Sequence, residues 1–230
     1  MPSGFQVFND YNALQIDSDF INLALIRKGQ VASQNYNEGT VVTTNPTRAY
    51  IDIAANEMLA FSCGSAPAAV VFRDGNTVTI AVGAAAGAVI NFWVFAPGVT
   101  SSTSGMQVFT DTGALAFDSG WKLLNFRGIT QGDGAFVFDP GRTYAVMHQN
   151  IRTRHVYRSY YEGVSPNVQI IDVDQMYFSG AQVSGANVTA SLVLAQQFVQ
   201  TRSASSPLGP TGEENNNVTS SFLVVDVTGY

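Results

Sequence analysis

Short apolar runs separated by turn-forming residues occupy most of this sequence, and their lengths predict β-strands. Gly, Pro, Asn, Asp and Ser interrupt these runs at short intervals. Asp74-Gly75 is a strong hairpin signal, because glycine supplies the positive φ that a tight turn needs. Further predicted strands cover 23–26, 41–44, 49–53, 69–72, 78–82 and 89–95, then 122–126, 135–138, 144–149, 154–160, 168–173, 175–178, 187–198 and 222–227. This density of strands favours a β-sandwich.

One motif occurs twice, at residues 4–23 and 105–124. The copies align without a gap at an offset of 101, and ten of twenty positions are identical, where chance would give roughly one or two. The identical pairs are Gly4/Gly105, Gln6/Gln107, Val7/Val108, Phe8/Phe109, Asp10/Asp111, Ala13/Ala114, Leu14/Leu115, Asp17/Asp118, Ser18/Ser119 and Leu23/Leu124. The duplication predicts two related units.

Each copy of the motif predicts a β-hairpin with a four-residue turn. Asn12 aligns with Gly113, and both residue types tolerate a positive φ. The Asp-Ser pair that follows the second strand can accept backbone N–H groups as the chain turns away. We therefore interpret Asp17 and Asp118 as turn residues, since a duplicated turn explains them more simply than a duplicated active site.

The predicted fold is all-β, with two tandem β-sandwich units related by the internal repeat. The first unit covers 1–98, a small polar linker 99–104, and the second unit 105–230, with a long loop at 201–217 before a final strand. We expect no signal peptide and no membrane span. The most apolar stretch, 81–99, is interrupted by glycines, an asparagine and a proline, which favours buried strands.

The composition of the chain argues against several classes of function. Charged residues are 12% of the 230, against roughly a quarter in an average protein, and the net charge of -6 argues against nucleic acid as a partner. The 46% of hydrophobic residues excludes a disordered chain. One cysteine, two histidines and the absence of catalytic or phosphate-binding motifs leave no nucleophile, acid and base set. We therefore expect no enzyme, no catalytic residue, no metal and no cofactor.

Five further residues have side chains that could take part in chemistry. Cys63 has no basic residue within eight positions and is interpreted as a buried small hydrophobe. His148 and His155 could form a metal pair, but polar strand residues facing solvent or a partner are favoured. Asp172 and Asp174 share one strand face, where they could bind calcium or serve glycoside hydrolysis; a solvated face is favoured.

The segment 142–161 holds four of the eleven basic residues and four tyrosines. Its candidate interface or binding residues are Arg152, Arg154, Arg158, Tyr157, Tyr160 and Tyr161. The three arginines share a face if the strand is continuous. Arginine with tyrosine suits protein interfaces, sugars and single-stranded nucleic acid. A subunit interface is favoured, with a host-surface or glycan contact and an exposed polar strand as alternatives.

The hairpin motif resembles that of small virion proteins of tailed bacteriophages. Their pattern, G-hydrophobic-Q-V-F-N…G-x-L-hydrophobic-F-D-S, corresponds here to 4–18 and 105–119, with the aromatic strand Phe92-Trp93-Val94-Phe95 before the second copy. The first copy departs from the second in Ile16 for Phe117 and Asn12 for Gly113. The resemblance implies a minor tail protein of the tail tip or baseplate, made in the host bacterial cytoplasm and located in the virion. It supplies no catalytic residues.

The resulting expectation is a virion structural component at the distal tail, in the tip, baseplate or fibre attachment. It would act by assembly, with other tail proteins as partners, as a symmetric homo-oligomer such as a trimer. One alternative is a receptor- or carbohydrate-binding module for host adsorption, with aromatics such as Trp121 and Tyr157 stacking on sugars. Another is a capsid decoration protein.

Overall fold

The structure is a computed structural model that describes residues 6–8, 14–17, 22–36, 46–98, 102–164 and 166–230. All regular secondary structure in these ranges is β-strand, which confirms the predicted all-β class. The first half forms β1 (Gln6–Phe8), β2 (Leu14–Asp17), β3 (Leu23–Ala32), β4 (Gln34–Asn35), β5 (Thr47–Asp52), β6 (Met58–Ser62), β7 (Ala68–Asp74), β8 (Thr77–Val82) and β9 (Val89–Pro97). The second half forms β10 (Gln107–Phe109), β11 (Leu115–Asp118), β12 (Asn125–Gln131), β13 (Gly134–Val137), β14 (Tyr144–Asn150), β15 (Thr153–Glu162), β16 (Gln169–Ser184), β17 (Asn187–Ser203), β18 (Gly212–Asn215) and β19 (Ser221–Asp226).

Two antiparallel sheets contain most of these strands, and both take strands from the two halves of the chain. The first sheet has the order β12-β19-β14-β6-β9-β3, and the second β13-β17-β16-β7-β8-β5-β4, with β15 beside β16 and β18 beside β15. The halves join where Val146 pairs with Phe61 and where Ala181 pairs with Ala68. The prediction of a separate sandwich for each half is therefore wrong. Hydrophobic alternation specifies the buried face of a strand but not its neighbour.

The main core lies between these two sheets. Alternate side chains of each strand point inward, and they include Phe61, Val94, Val146 and Val224 from the first sheet and Ile80 and Val183 from the second. Cys63 is a fully buried free thiol in the same core, which confirms its prediction as a buried residue. Because side chains from both halves interdigitate here, the hydrophobic contacts that stabilise one half also stabilise the other.

A second apolar cluster covers the outer face of the six-stranded sheet. In β9, Val94 faces the main core, whereas Trp93 and Phe95 point to the opposite side. The segment after the second hairpin lies against the beginning of β3, where Leu123 forms a bridge with Ala24. Burial of both faces explains why the stretch 81–99 is so apolar. In the described part of that stretch the chain forms the end of β8 and all of β9, as predicted, and no described helix is long and apolar enough to cross a membrane.

The two copies of the sequence motif form hairpins with the same register. Gln6 pairs with Asp17 in the first, and Gln107 pairs with Asp118 in the second, with a register shift at the equivalent position in each. Gly113 has φ +82° at the end of the second turn, as predicted; its counterpart Asn12 lies outside the described residues.

Asp118 is the centre of the second hairpin. Its buried carboxylate accepts hydrogen bonds from the Ser102 backbone N–H at 2.8 Å and hydroxyl at 2.6 Å, from Gln107 Nε2 at 2.9 Å and from the Gly120 N–H at 2.7 Å. The Ser102 hydroxyl is the largest cause of a pKa for Asp118 well below its usual range. The predicted structural role of this aspartate is confirmed.

Four further predictions made from the sequence have different outcomes. The predicted strand 41–44 and the linker residues 99–101 lie outside the described residues. The hairpin at 73–76 is confirmed, with Gly75 at φ +55° between β7 and β8. The long loop at 201–217 is partly wrong: β17 continues to Ser203, and β18 pairs with β15.

Candidate functional site

The second sheet, which has nine strands, continues beyond the sandwich as a four-stranded extension. We define this extension as residues 193–203, 169–178, 153–162 and 212–215. They belong to β17, β16, β15 and β18, in that order across the sheet. β15 pairs with β16 from Thr153–Phe178 to Glu162–Gln169, and so takes the place that β7 holds further along β16. The extension thus leaves the sandwich where β7 and β16 separate.

His148 occupies the point of separation. In the register of the Ala68–Ala181 pair, the next pair would be Val70 with Ser179. The His148 ring lies between them instead: the Val70 N–H donates to Nδ1 at 3.3 Å, and Nε2–H donates to the Ser179 carbonyl at 2.8 Å. This pair of bonds requires a neutral ring with its proton on Nε2.

The surroundings of His148 favour that neutral form. The ring packs on Phe222, with 4.4 Å between ring centroids, and near Phe61 at 6.1 Å. Burial lowers the pKa of His148 to about 4, only partly offset by the bond to Ser179. The predicted exposed position of His148 is therefore wrong, because this histidine joins the two sheets from β14. His155 lies in β15, which belongs to the other sheet. The two histidines considered as a metal pair from the sequence therefore lie in different sheets.

Two cross-strand rows of side chains lie on one face of the extension. Tyr157, Asp174 and Phe198 are opposite one another on β15, β16 and β17. The next row contains Ser159, Asp172 and Gln200. Residues opposite one another in an antiparallel sheet point to the same face, with Cβ atoms roughly 5 Å apart. The rows therefore form a compact patch of aromatic and polar groups.

An open cavity of about 320 Å³ lies over this patch. The chain after β17 crosses the face there and forms one wall before it continues into β18. The backbone N–H of Gly209 donates to the Ser159 hydroxyl at 2.9 Å, which fixes this wall to β15. The lining residues are Tyr157, Arg158, Asp172, Val173, Asp174, Phe198, Gln200, Arg202, Gly209 and Pro210.

Each of the two carboxylates in the cavity contacts a basic side chain. Arg202 binds Asp172 through both Nε and Nη2, the second contact being 3.0 Å, and its Nη1 donates to the Pro207 carbonyl at 3.2 Å. Arg202 is the main cause of a lowered pKa for Asp172, with the Ser159 hydroxyl second. His155 Nε2 lies 2.6 Å from Asp174 Oδ1. Asp172 thus has two protein partners, Arg202 and Ser159, and Asp174 has His155.

Tyr157 is positioned by β18. A Cβ at Gly212 would lie 2.8 Å from the Tyr157 hydroxyl oxygen, so only glycine lets the ring pack this closely on the strand. The Tyr157 hydroxyl donates to Glu214 at 3.4 Å. The ring is therefore held in place at the edge of the cavity.

The six residues singled out in the sequence do not form one surface. Arg158 and Tyr160 are on one face of β15, whereas Tyr157 and Tyr161 are on the other, because their positions alternate. Tyr160 and Tyr161 are both exposed.

The remaining two arginines have ionic partners. Arg154 shares the face of Arg158 and binds Glu213 at 2.7 Å. Arg152 precedes the strand and binds Asp133 at 3.0 Å. Only Tyr157 and Arg158 of the six line the cavity.

Three cavity residues on β17 were not predicted as site residues from the sequence: Phe198, Gln200 and Arg202. The predicted strand ended at Phe198 and the predicted loop began at residue 201, so their position opposite Asp172 and Asp174 could not be inferred. The alternation Phe198, Gln200, Arg202 was the available signal. Among the described residues no group of three or more His, Cys, Asp or Glu is placed to hold a metal ion.

The fold and site define an antiparallel β-sandwich with a four-stranded extension that carries an open polar and aromatic cavity. Comparison with protein-family models, with curated proteins and with solved structures finds no match.

Proposed function

We propose that this chain is a structural component of a tailed-bacteriophage virion, located at the distal tail and acting by subunit assembly. The observation that carries the proposal is the duplicated hairpin motif. Its sequence resembles the opening motif of small phage virion proteins, and both copies form hairpins of equal register in the structure.

A subunit contact surface is available on the side of the sandwich formed by β12 and β13. Each is the terminal strand of its sheet. Phe126 and Ile129 on β12 and Val137 on β13 are exposed. Unpaired strand edges with exposed apolar side chains favour association with another chain. We propose that neighbouring subunits of a homo-oligomer meet here, with other tail proteins contacting the remaining surface.

Fractionation of purified particles tests the virion proposal. Phage would be disassembled into capsids and tails, and the chain quantified in each fraction by mass spectrometry. The proposal expects the chain in the tail fraction. Detection only with capsids would favour a decoration protein, and absence from both fractions would contradict a virion role.

Light scattering on the purified chain tests the assembly surface. Ile129→Glu would place a charge at the β12 edge and shift the oligomer toward monomer. Val89→Glu is the matched control, because Val89 and Ile129 are each 45% exposed but Val89 lies on β9. A wild-type monomer at every concentration, or equal effects of both variants, would refute this surface.

A further inference from the structure

We propose that the cavity of the extension binds a neutral saccharide through Tyr157, Asp174, Phe198 and Gln200. This inference goes beyond the proposed structural role and does not depend on where the protein lies in a virion. It rests on the composition, the order and the unused hydrogen-bonding groups of the two cross-strand rows.

The first row provides the apolar contact that a sugar ring requires. Tyr157 and Phe198 are placed on either side of Asp174, one strand away in each direction. The C–H face of a pyranose ring can pack on an aromatic ring while its hydroxyls point to polar neighbours. Phe198 is an exposed aromatic on the cavity wall, and Tyr157 is held by Gly212 and Glu214.

Polar groups next to these rings are free to bind hydroxyls. Asp174 Oδ1 contacts His155, but Oδ2 has no hydrogen-bond partner among the described residues, and the carboxylate side chain is 59% exposed. The Gln200 amide likewise has no side-chain hydrogen bond to a described residue. A carboxylate oxygen accepts from a hydroxyl, and an amide both donates and accepts, which matches vicinal sugar hydroxyls.

Charge and size favour a neutral ligand. The Asp172 carboxylate is already neutralised by the two-pronged contact with Arg202, and the other two charged lining groups, Asp174 and Arg158, are opposite in sign, so the lining has no excess charge. The volume of about 320 Å³ is at the lower end of the roughly 300–1,000 Å³ of small-molecule sites. A short segment of an oligosaccharide fits these limits better than a long charged polymer.

The test is binding of the whole chain to immobilised neutral oligosaccharides. The probes are oligomers of glucose, galactose, mannose, rhamnose and N-acetylglucosamine, with sialylated and uronic-acid oligomers for comparison. Bound sugars would then be titrated calorimetrically against wild type and three variants: Phe198→Ala, Gln200→Ala and Tyr160→Ala. Tyr160 is the matched control, because it is an exposed aromatic of the same extension on the opposite face. All three positions are exposed, and thermal unfolding would verify that each variant folds.

We expect binding of at least one neutral saccharide, weakened about tenfold or more by Phe198→Ala and by Gln200→Ala and unchanged within about twofold by Tyr160→Ala. Failure to bind any neutral probe, binding of acidic probes only, or equal loss in all three variants would overturn the inference. The location of the chain in a virion would be unaffected by any of these results.

Discussion

At the scale of single residues, His148 has the most specific role in the fold. It accepts from the Val70 N–H and donates to the Ser179 carbonyl where β7 and β16 separate. The bonding pattern exists only for the neutral ring, and a second proton on Nδ1 would remove the acceptor for Val70. The sequence showed a histidine in an apolar strand but gave no sign that its ring would replace a backbone hydrogen bond.

The lowered pKa of His148 predicts a stability change at mildly acidic pH. An unfolded histidine binds a proton near pH 6.5, whereas the folded one does so only at about pH 4. The contribution of neutral His148 to the free energy of unfolding is therefore fully present above pH 6.5. It is lost as the pH falls from about 6.5 toward 4, by about 3 kcal/mol in total. Urea unfolding at pH 7, 6, 5 and 4.5 measures this loss.

Matched variants isolate the histidine from the carboxylates. His148→Gln keeps one donor and one acceptor but does not titrate, so its stability should fall less than that of wild type over this pH range. His155→Gln removes the more exposed histidine and should retain the wild-type loss between pH 6.5 and pH 5. Equal pH dependence of wild type and His148→Gln would contradict the role assigned to His148.

At the scale of elements, the second hairpin is held by the donors around Asp118. Four hydrogen bonds from Ser102, Gln107 and Gly120 converge on one buried carboxylate. Removal of the carboxylate would leave these part-buried donors without their acceptor, which costs stability.

Asp118→Ala is therefore expected to lower the melting temperature by several degrees. Asp111→Ala is the control, because Asp111 is also shared by both motif copies but is exposed in the turn. Differential scanning calorimetry at pH 7 compares the two variants. Equal melting temperatures for Asp118→Ala and wild type would show that the carboxylate is not needed for the hairpin.

The hairpins and turns were more predictable from the sequence than the pairing of strands that are distant in the chain. Both hairpins and the turn at Gly75 followed from turn chemistry and alternation, which act over a few residues. The pairing of β6 with β14 joins Phe61 to Val146, and no local pattern specifies so distant a partner. Asp172 and Asp174 could be recognised as a pair on one face, because alternation along a strand is a local pattern. The cavity that they form with Phe198 could not be predicted, because it depends on which strand lies beside them.

At the scale of the whole molecule, the two halves share their sheets and their main core. A domain with one interdigitated core unfolds cooperatively, whereas two tandem sandwiches would unfold independently. Calorimetry should therefore show one transition for the full chain, and a fragment of residues 1–98 alone should not fold. Two separate transitions, or a folded 1–98 fragment with native-like protection of its amides, would contradict the shared core.

The proposed place of the molecule is the distal end of a phage tail. Electron microscopy of intact particles labelled with gold-conjugated antibody against this chain tests that claim most directly. A surface-accessible epitope, such as a peptide containing the exposed Tyr160 and Tyr161, avoids the main core. The account predicts gold at the tail tip or baseplate. Gold distributed over the capsid, or particles whose denatured proteins lack the chain, would contradict it.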